Sequence, residues 1–272
     1  MLEGSRAVNF KLDKIVIPMA KGQRSRKALR LGFDFSRALN TEITALTVKD
    51  SSRELTWSDK VHVVTSAYKL GKEMNVKVIP KIITNRSVRS GIVNETANRN
   101  YDLLLMASDS HSFFARSLFG GNVDYIIRHV SIPVAALGIR TGNYPYTSIV
   151  YPMSEMINTR SSLAFSLAIK KSIEKPLRIL DLRYLDSKPQ DRFRFFRDHF
   201  DQIIQKYGGD VSFIRDSAGK NYIEVIRNGT SGEKNPLLVL GVRPDQNGRV
   251  KLPAELREIN RSVNCDILLV KK

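Results

Sequence analysis

Two stretches of this 272-residue sequence combine residue types that bind anions. The first, residues 106–122, reads MASDSHSFFARSLFGGN: hydroxyl side chains follow an apolar run, and a glycine pair precedes a helix-like segment. Backbone N–H groups at a glycine-rich turn or at the start of a helix can hold phosphate oxygens. The residues of this candidate anion or nucleotide loop are Ala107, Ser108, Ser110, Gly120, Gly121 and Asn122.

The second stretch, KGQRSRKALR at residues 21–30, places five basic residues within ten. It precedes and opens the first predicted helix, where cations oppose the helix dipole at a cost of about 0.3–1 kcal/mol each. A phosphate, an acidic lipid headgroup or an acidic partner segment would compensate for that cost. The alternative is a solvated helix face. The residues of this candidate basic contact patch are Lys21, Arg24, Arg26, Lys27 and Arg30.

Neither a catalytic constellation nor a metal site is predicted. The four histidines are not spaced with one another, with Cys265 or with carboxylates in the manner of metal ligands. The sequence has no G-x-S-x-G elbow and no G-x-x-x-x-G-K-(S/T) loop. Cys265 falls at the start of a predicted buried strand, where it would be inert. We therefore predict that the chain is not an enzyme.

The charge balance is strongly basic, with 44 Lys and Arg against 27 Asp and Glu, a net of +17. The excess is +10 over residues 1–140 and +7 over the remainder, so it is not confined to a tail. Such a field attracts nucleic acid, acidic lipid, nucleotides or acidic proteins, although it would also serve solubility alone. No apolar run is long enough to span a membrane, and the single cysteine fits a reducing cytosol.

Short apolar runs alternate with helical patterns through the first half of the chain. The runs are apolar on both faces, which predicts a parallel sheet covered by helices on both sides. The predicted strands are 14–18, 43–48, 76–83, 102–106 and 133–137, and the predicted helices are 26–39, 57–74, 88–98 and 121–129.

The pattern restarts after a turn-rich linker at residues 138–146. SIVYPMS at 148–154 repeats KIVIPMA at 14–20, and SVNCDILLV at 262–270 occupies the place of HVSIPVAAL at 129–137. This internal duplication predicts two domains, residues 1–140 and 141–272. The second would contain strands 148–154, 177–182, 211–214, 237–240 and 266–270 and helices 159–174, 190–207, 220–228 and 253–262.

The succession KIVIPMA, LLLMASDS and FGGNVDYIIRHVSIPVAAL resembles the universal stress protein superfamily. The resemblance covers residues 14–137 well and residues 148–270 more weakly, at the two end motifs. It implies an α/β fold of two tandem Rossmann-like units. Each would have a five-stranded, mostly parallel sheet in the order 3-2-1-4-5 with helices on both faces. It also implies pairing through the last strand, between chains or between tandem copies.

The nucleotide-binding branch of that family has the pattern G-x-x-G-x9-G-(S/T) after strand four. Its four positions fall here on Ala107, Ser110, Gly120 and Gly121. Only one of the four matches. The acidic residue that the family carries after strand one is replaced by Ala20, and by Ser154 in the second copy. The resemblance therefore implies a nucleotide site that is largely lost, and we expect no cofactor.

Three functions follow as hypotheses. Two-copy domains of this superfamily occur at the carboxyl terminus of prokaryotic amino-acid permeases and cation-chloride cotransporters. The first hypothesis is therefore a cytosolic regulatory domain of a transporter, trimmed from a longer protein. We expect it to be homodimeric and to contact the transmembrane domain of the same polypeptide or the anionic inner membrane surface. The second is a free-standing tandem universal stress protein that binds ATP or another adenine nucleotide. The third, a nucleic-acid-binding module, rests on charge alone.

Overall fold

The computed structural model of the protein describes residues 12–51, 57–109, 122–186, 210–215, 221–243 and 254–271, together with the isolated residues 198, 202 and 250. The predicted helix over 190–207 lies almost entirely outside the described residues. The chain divides into two compact units, with the boundary between Ile139 and Arg140.

The first unit contains a parallel sheet of five strands in the order β3-β2-β1-β4-β5. The helices that connect them are α1 to α4, and the connection from β4 to α4 is described only at its ends. The strands are β1 (Lys14–Pro18), β2 (Glu42–Asp50), β3 (Val78–Asn85), β4 (Leu103–Asp109) and β5 (Val134–Ile139), and the helices are α1 (Gln23–Leu39), α2 (Trp57–Glu73), α3 (Val88–Asn98) and α4 (Asn122–His129).

Helices cover both faces of this sheet. The consecutive residues Ile15, Val16 and Ile17 are all fully buried. Because neighbouring side chains of a strand point to opposite faces, neither face is open to solvent. α1 packs against α2, and α3 packs against α4. Right-handed crossovers place these two pairs on opposite sides of the sheet.

The second unit repeats the same arrangement. Its strands are parallel and in the order β8-β7-β6-β9-β10, which is again 3-2-1-4-5 counted from the unit's own first strand. Its strands are β6 (Ser148–Met153), β7 (Leu177–Asp181), β8 (Val211–Ile214), β9 (Pro236–Val242) and β10 (Asp266–Lys271), and its described helices are α5 (Arg160–Ile173), α6 (Tyr222–Ser231), α7 (Ala254–Ser262) and a 3-10 turn (Arg183–Leu185). The predicted tandem fold is confirmed.

Two predicted boundaries differ from the observed ones in ways that concern the candidate sites. α1 begins at Gln23 and not at Arg26, because Gly22, at φ +116, turns the chain directly into the helix. That backbone conformation strains any residue with a Cβ. β4 continues to Asp109 and not to Met106, because residues 107–109 pair in register with residues 137–139 of β5.

A buried carboxylate ties the start of the second unit to its last strand. Asp266, at the first position of β10, has no solvent exposure. Its Oδ1 accepts hydrogen bonds from the backbone N–H groups of Arg140 and Thr141, both at 2.9 Å, and its Oδ2 accepts from the Tyr146 hydroxyl at 2.9 Å. Burial, and then the negative charge of Asp266, raise the pKa of Tyr146 well above its ordinary value, so the phenol remains a donor.

Substituting Asp266→Asn should lower the free energy of unfolding by about 2–3 kcal/mol. The amide cannot accept at both oxygen positions, so at least one buried donor loses its partner. Urea denaturation measures the effect. Asp210→Asn, at an exposed carboxylate in the same unit, is the matched control and should change stability by less than about 0.5 kcal/mol. Equal effects of the two substitutions would contradict this account of Asp266.

Candidate functional site

In each unit the two central strands separate before they end. β1 pairs with β4 only through Ile15–Leu103 and Val16–Leu104. β6 pairs with β9 only as far as Val150–Leu238, which is the same pair 134 residues later. Sheets of this kind bind ligands beyond the carboxyl ends of these two strands, where the strand order reverses. We call this place the switch point of each unit.

The switch point of the second unit is bridged by one side chain. Asn158 is almost completely buried, and its Nδ2 donates to the carbonyl of Pro152 at 3.0 Å and to the carbonyl of Val239 at 3.1 Å. These two carbonyls belong to β6 and β9 just after the strands part. The Asn158 amide therefore satisfies backbone acceptors from both sides of the gap.

The other end of Asn158 is fixed by the first turn of α5. Its Oδ1 accepts from the backbone N–H of Thr159 at 3.1 Å and contacts the Ser162 hydroxyl. Thr159 and Ser162 form a reciprocal capping box, in which the Thr159 hydroxyl accepts from the Ser162 N–H and the Ser162 hydroxyl accepts from the Thr159 N–H. The helix start, which in a phosphate site would offer N–H groups to a ligand, is occupied by the chain's own oxygens.

Gly241 of β9 completes the filling of this switch point. A Cβ at this position would lie 2.5 Å from the Ser162 hydroxyl, 2.7 Å from the Thr159 hydroxyl and 2.8 Å from Asn158 Oδ1. The position 134 residues earlier is Ala107, the first position of the family's glycine pattern. In the second unit this glycine is needed because three side chains of the same chain approach its backbone.

A second buried network closes the adjacent loop. The Ser154 hydroxyl donates to Asp186 Oδ1 at 2.6 Å, and the Glu155 N–H donates to Asp186 Oδ2 at 2.9 Å. The Tyr222 hydroxyl, from the start of α6, also donates to Asp186 Oδ1, at 2.9 Å. Burial and the hydrogen bond to Asp186 raise the pKa of Tyr222 above its ordinary value, so this donor persists over the physiological range. Ser154 occupies the position that carries an acid in the nucleotide-binding branch of the family. Its hydroxyl is therefore used in a hydrogen bond within the chain.

The switch point of the first unit has different residues at the equivalent positions. Asn158 corresponds to Arg24, which is exposed, and Ser162 corresponds to Ala28, which has no hydroxyl. Ala20, the counterpart of Ser154, is exposed, and its carbonyl accepts from the Ser25 hydroxyl at 2.7 Å. The side chains that bridge the strands in the second unit are therefore not repeated in the first.

The structure describes three of the six residues of the candidate nucleotide loop. Ala107 and Ser108 are half-buried on the last part of β4, where they pair with Leu137 and Gly138 of β5. Asn122 is the first residue of α4. Ser110, Gly120 and Gly121 lie outside the described residues.

The five residues of the candidate basic patch differ in exposure. Lys21, Arg24, Arg26 and Arg30 are exposed, but Lys27 is only 5 % exposed because it lies on the buried side of α1. Lys27 therefore does not belong to a contact surface. Lys21 forms an ion pair with Asp59 of α2, with 2.6 Å between Nζ and Oδ1. α1 has no acidic residue in its first turn and no side-chain cap.

The described residues contain no group of three or more His, Cys, Asp or Glu side chains arranged to hold a metal ion. Cys265 is buried as predicted, and burial raises the pKa of its thiol to about 12, so it is not a nucleophile at neutral pH. No described helix is both long and apolar enough to cross a bilayer.

Residues 11–137 match the sequence profile of the universal stress protein family. The first unit is a universal stress protein domain. The match ends at the last strand of that unit, and the second unit has the same fold. No curated protein sequence matches the chain.

Solved structures with the same fold extend over both units. A functionally unknown protein from Pseudomonas aeruginosa covers 98 % of this chain and 94 % of its own, with 12 % identity and a TM-score of 0.62. A universal stress protein from Archaeoglobus fulgidus covers 96 % and 99 %, with 15 % identity and a TM-score of 0.61. The cytoplasmic domain of a prokaryotic cation chloride cotransporter covers 96 % and 95 %, with 11 % identity and a TM-score of 0.58. At these identities the likeness shows the fold.

The residues that fill the second switch point were missed by sequence reasoning. Asn158 contacts Val239, 81 residues away, and Asp186 contacts Ser154 and Tyr222 across 32 and 36 residues. No local pattern reports such contacts. One signal was present: Thr159 followed three positions later by Ser162 is a hydroxyl pair at capping-box spacing.

Asn158→Ala should lower the free energy of unfolding by about 3 kcal/mol. It leaves the buried carbonyls of Pro152 and Val239 without their donor, at roughly 1–3 kcal/mol for each unsatisfied group. Chemical denaturation measures the loss. The control is Asn228→Ala on the exposed side of α6, which should cost less than about 0.5 kcal/mol. A cost below 1 kcal/mol for Asn158→Ala would show that the bridge does not hold the strands.

Proposed function

We propose that this chain is a non-enzymatic regulatory and dimerisation domain of a membrane transporter, located on the cytoplasmic side, whose second unit has lost its nucleotide site. The observation that carries the proposal is the bridged switch point of the second unit. Asn158, Thr159, Ser162 and Gly241 occupy the place where a nucleotide would bind.

Opening this place for a ligand would be costly. A nucleotide would have to displace the Asn158 amide from two buried carbonyls, and each orphaned group costs roughly 1–3 kcal/mol. The phosphates would also compete with the Ser162 and Thr159 hydroxyls for the N–H groups of the first turn of α5. The two orphaned groups together cost about 2–6 kcal/mol, which is comparable to the whole binding free energy of a millimolar ligand, about 4 kcal/mol.

The transporter context is supported by likeness of fold. The chain matches the cytoplasmic domain of a cation chloride cotransporter over nearly the full length of both. The basic charge of +17 suits a position beside an anionic membrane surface. We accordingly propose the transmembrane part of the same polypeptide, or the bilayer beside it, as the partner, and a homodimer as the working form.

Adenine-nucleotide binding by the first unit is the second candidate function. It is favoured by one feature: the exposed Ala20 and the turn at Gly22 leave the backbone after β1 open. In that reading the protein is a free-standing universal stress protein with one working site.

Thermal melting in MgATP distinguishes these two functions. A ligand present at about 100 times its dissociation constant adds about 2.7 kcal/mol of stability. We expect the melting temperature to stay the same across millimolar MgATP, as in a control series with magnesium and tripolyphosphate. A saturable rise with MgATP that tripolyphosphate does not reproduce would instead support the free-standing nucleotide-binding protein.

The transporter assignment is tested by the genomic sequence upstream of the codon for Met1. We expect the reading frame to continue upstream and to encode apolar segments of about 20 residues, which is the length of a membrane-spanning helix. A stop codon in frame directly upstream of Met1 would contradict the assignment.

A further inference from the structure

The α1/α2 side of the first unit exposes a basic row and an apolar row. On α1, Arg26 and Arg30 are one turn apart and both are exposed. On α2, Trp57, Val61 and Tyr68 lie on one side of the helix and are 50 %, 47 % and 39 % exposed. Large side chains of these types are normally buried, so three on one helix face form a distinct surface.

The two rows lie on adjacent helices. α1 packs against α2, and Arg26 and His62 line opposite sides of one cleft of about 280 Å³ between them. The floor of this cleft is apolar and includes Leu29 and Ala67. Trp57, Val61 and Tyr68 do not line this cleft and lie on the other side of α2, so the basic row and the apolar row border the solvent-facing side of the two helices, which we call the α1/α2 face.

The basic charge of the unit's helices is concentrated on this face. Without the buried Lys27, α1 and α2 together contain seven Lys and Arg against three Asp and Glu, whereas α3 and α4 on the opposite side contain two of each. Two of the three acids are already paired, Asp34 with Arg37 and Asp59 with Lys21. Neither Arg26 nor Arg30 has an acidic partner among the described residues. The face is thus complementary to a surface of negative charge.

The aromatic residues are arranged for a membrane interface. Lys49 Nζ lies 4.7 Å from the centre of the Trp57 ring, and Lys72 Nζ lies 5.5 Å from the centre of the Tyr68 ring. Trp and Tyr favour the headgroup region of a bilayer, and lysine stems can lie along apolar surface while their ammonium groups reach the phosphates. Stacking of nucleic-acid bases requires open ring faces, and here lysines cover them. The core of a protein–protein interface is depleted of lysine.

We propose that the α1/α2 face docks on the surface of an anionic phospholipid bilayer, with Trp57, Val61 and Tyr68 entering the headgroup region and Arg26 and Arg30 contacting phosphates. The proposal rests on the membrane context of the proposed function and names the surface that makes the contact. It requires only the first unit.

Trp57 is the only tryptophan of the chain, so its fluorescence reports this contact directly. Phosphatidylcholine vesicles with phosphatidylglycerol should shift the Trp57 emission to shorter wavelength and sediment with the full chain. Vesicles of phosphatidylcholine alone should do neither. In molar salt, where the Debye length falls to about 3 Å, most of the binding should be lost.

Double substitutions test whether the contact with the bilayer lies on the α1/α2 face. Each basic residue near an anionic bilayer contributes a factor of about five in partitioning, so Arg26→Gln with Arg30→Gln should weaken binding roughly 25-fold at low salt. The control, Lys171→Gln with Lys234→Gln, removes the same charge at exposed positions of the second unit and should weaken it less than about threefold. The Tyr68→Ser variant, which keeps Trp57 as the reporter, should weaken sedimentation and reduce the emission shift. Circular dichroism checks that all variants remain folded.

Three results would overturn the proposal. One is an absent emission shift on anionic vesicles. Another is an equal loss of binding in the two charge variants. The third is a shift of Trp57 by single-stranded RNA that anionic vesicles do not produce. None of these bears on the MgATP melts or on the upstream reading frame, so failure of this inference remains separate from failure of the proposed function.

Discussion

Where β6 and β9 separate, the backbone carbonyls of Pro152 and Val239 have no hydrogen-bond donor in a neighbouring strand. The local structure of the second unit depends on which group donates to them. In a doubly wound parallel sheet such as this one the strand order reverses at one place, and buried acceptors there require a donor from a ligand, from water or from the chain itself. Here the donor is the Asn158 amide, 3.0 and 3.1 Å from one carbonyl on each side. This choice places the start of α5 against β9 and makes a glycine necessary at position 241.

The two units have the same fold but different residues at their switch points. In the second, Asn158 bridges the strands of the switch point, and the adjacent loop is held by the Asp186 network. In the first, the counterpart of Asn158 is Arg24, which is exposed and basic, and the counterpart of Ser162 is Ala28, which has no hydroxyl. The two copies of the fold thus differ at their switch points: in the second unit side chains of the chain itself bridge the two strands, and in the first unit the equivalent bridge is missing from the described residues.

The fold could be predicted from the sequence because its signal is local and repeated. Helix 88–98 and strand 211–214 were predicted to the residue, and most other boundaries within three residues. The three-residue deviation at the start of α1 depends on a single glycine with positive φ, which the apolar pattern does not show. The deviation at the end of β4 depends on pairing with β5, which is a tertiary contact.

The candidate sites were less predictable because they depend on contacts between residues far apart in the sequence. The five basic residues were found as a cluster, but which of them are exposed depends on the rotation of α1 against the sheet, and Lys27 points inward. The filling of the second switch point joins Asn158 to Val239 and Asp186 to Tyr222, pairs that only the folded chain brings together. The missing glycines of the family's motif lie in the first unit, at Ala107 and Ser110, and they gave no indication of the bridge in the second unit, where Gly241 is present.

The most direct test of the central claim is a crystal structure of the full chain grown in saturating MgATP. We predict that the electron density between β6 and β9 will show the Asn158 amide bonded to the carbonyls of Pro152 and Val239, with no nucleotide there. Nucleotide density at this place, with the Asn158 side chain turned away, would contradict the account.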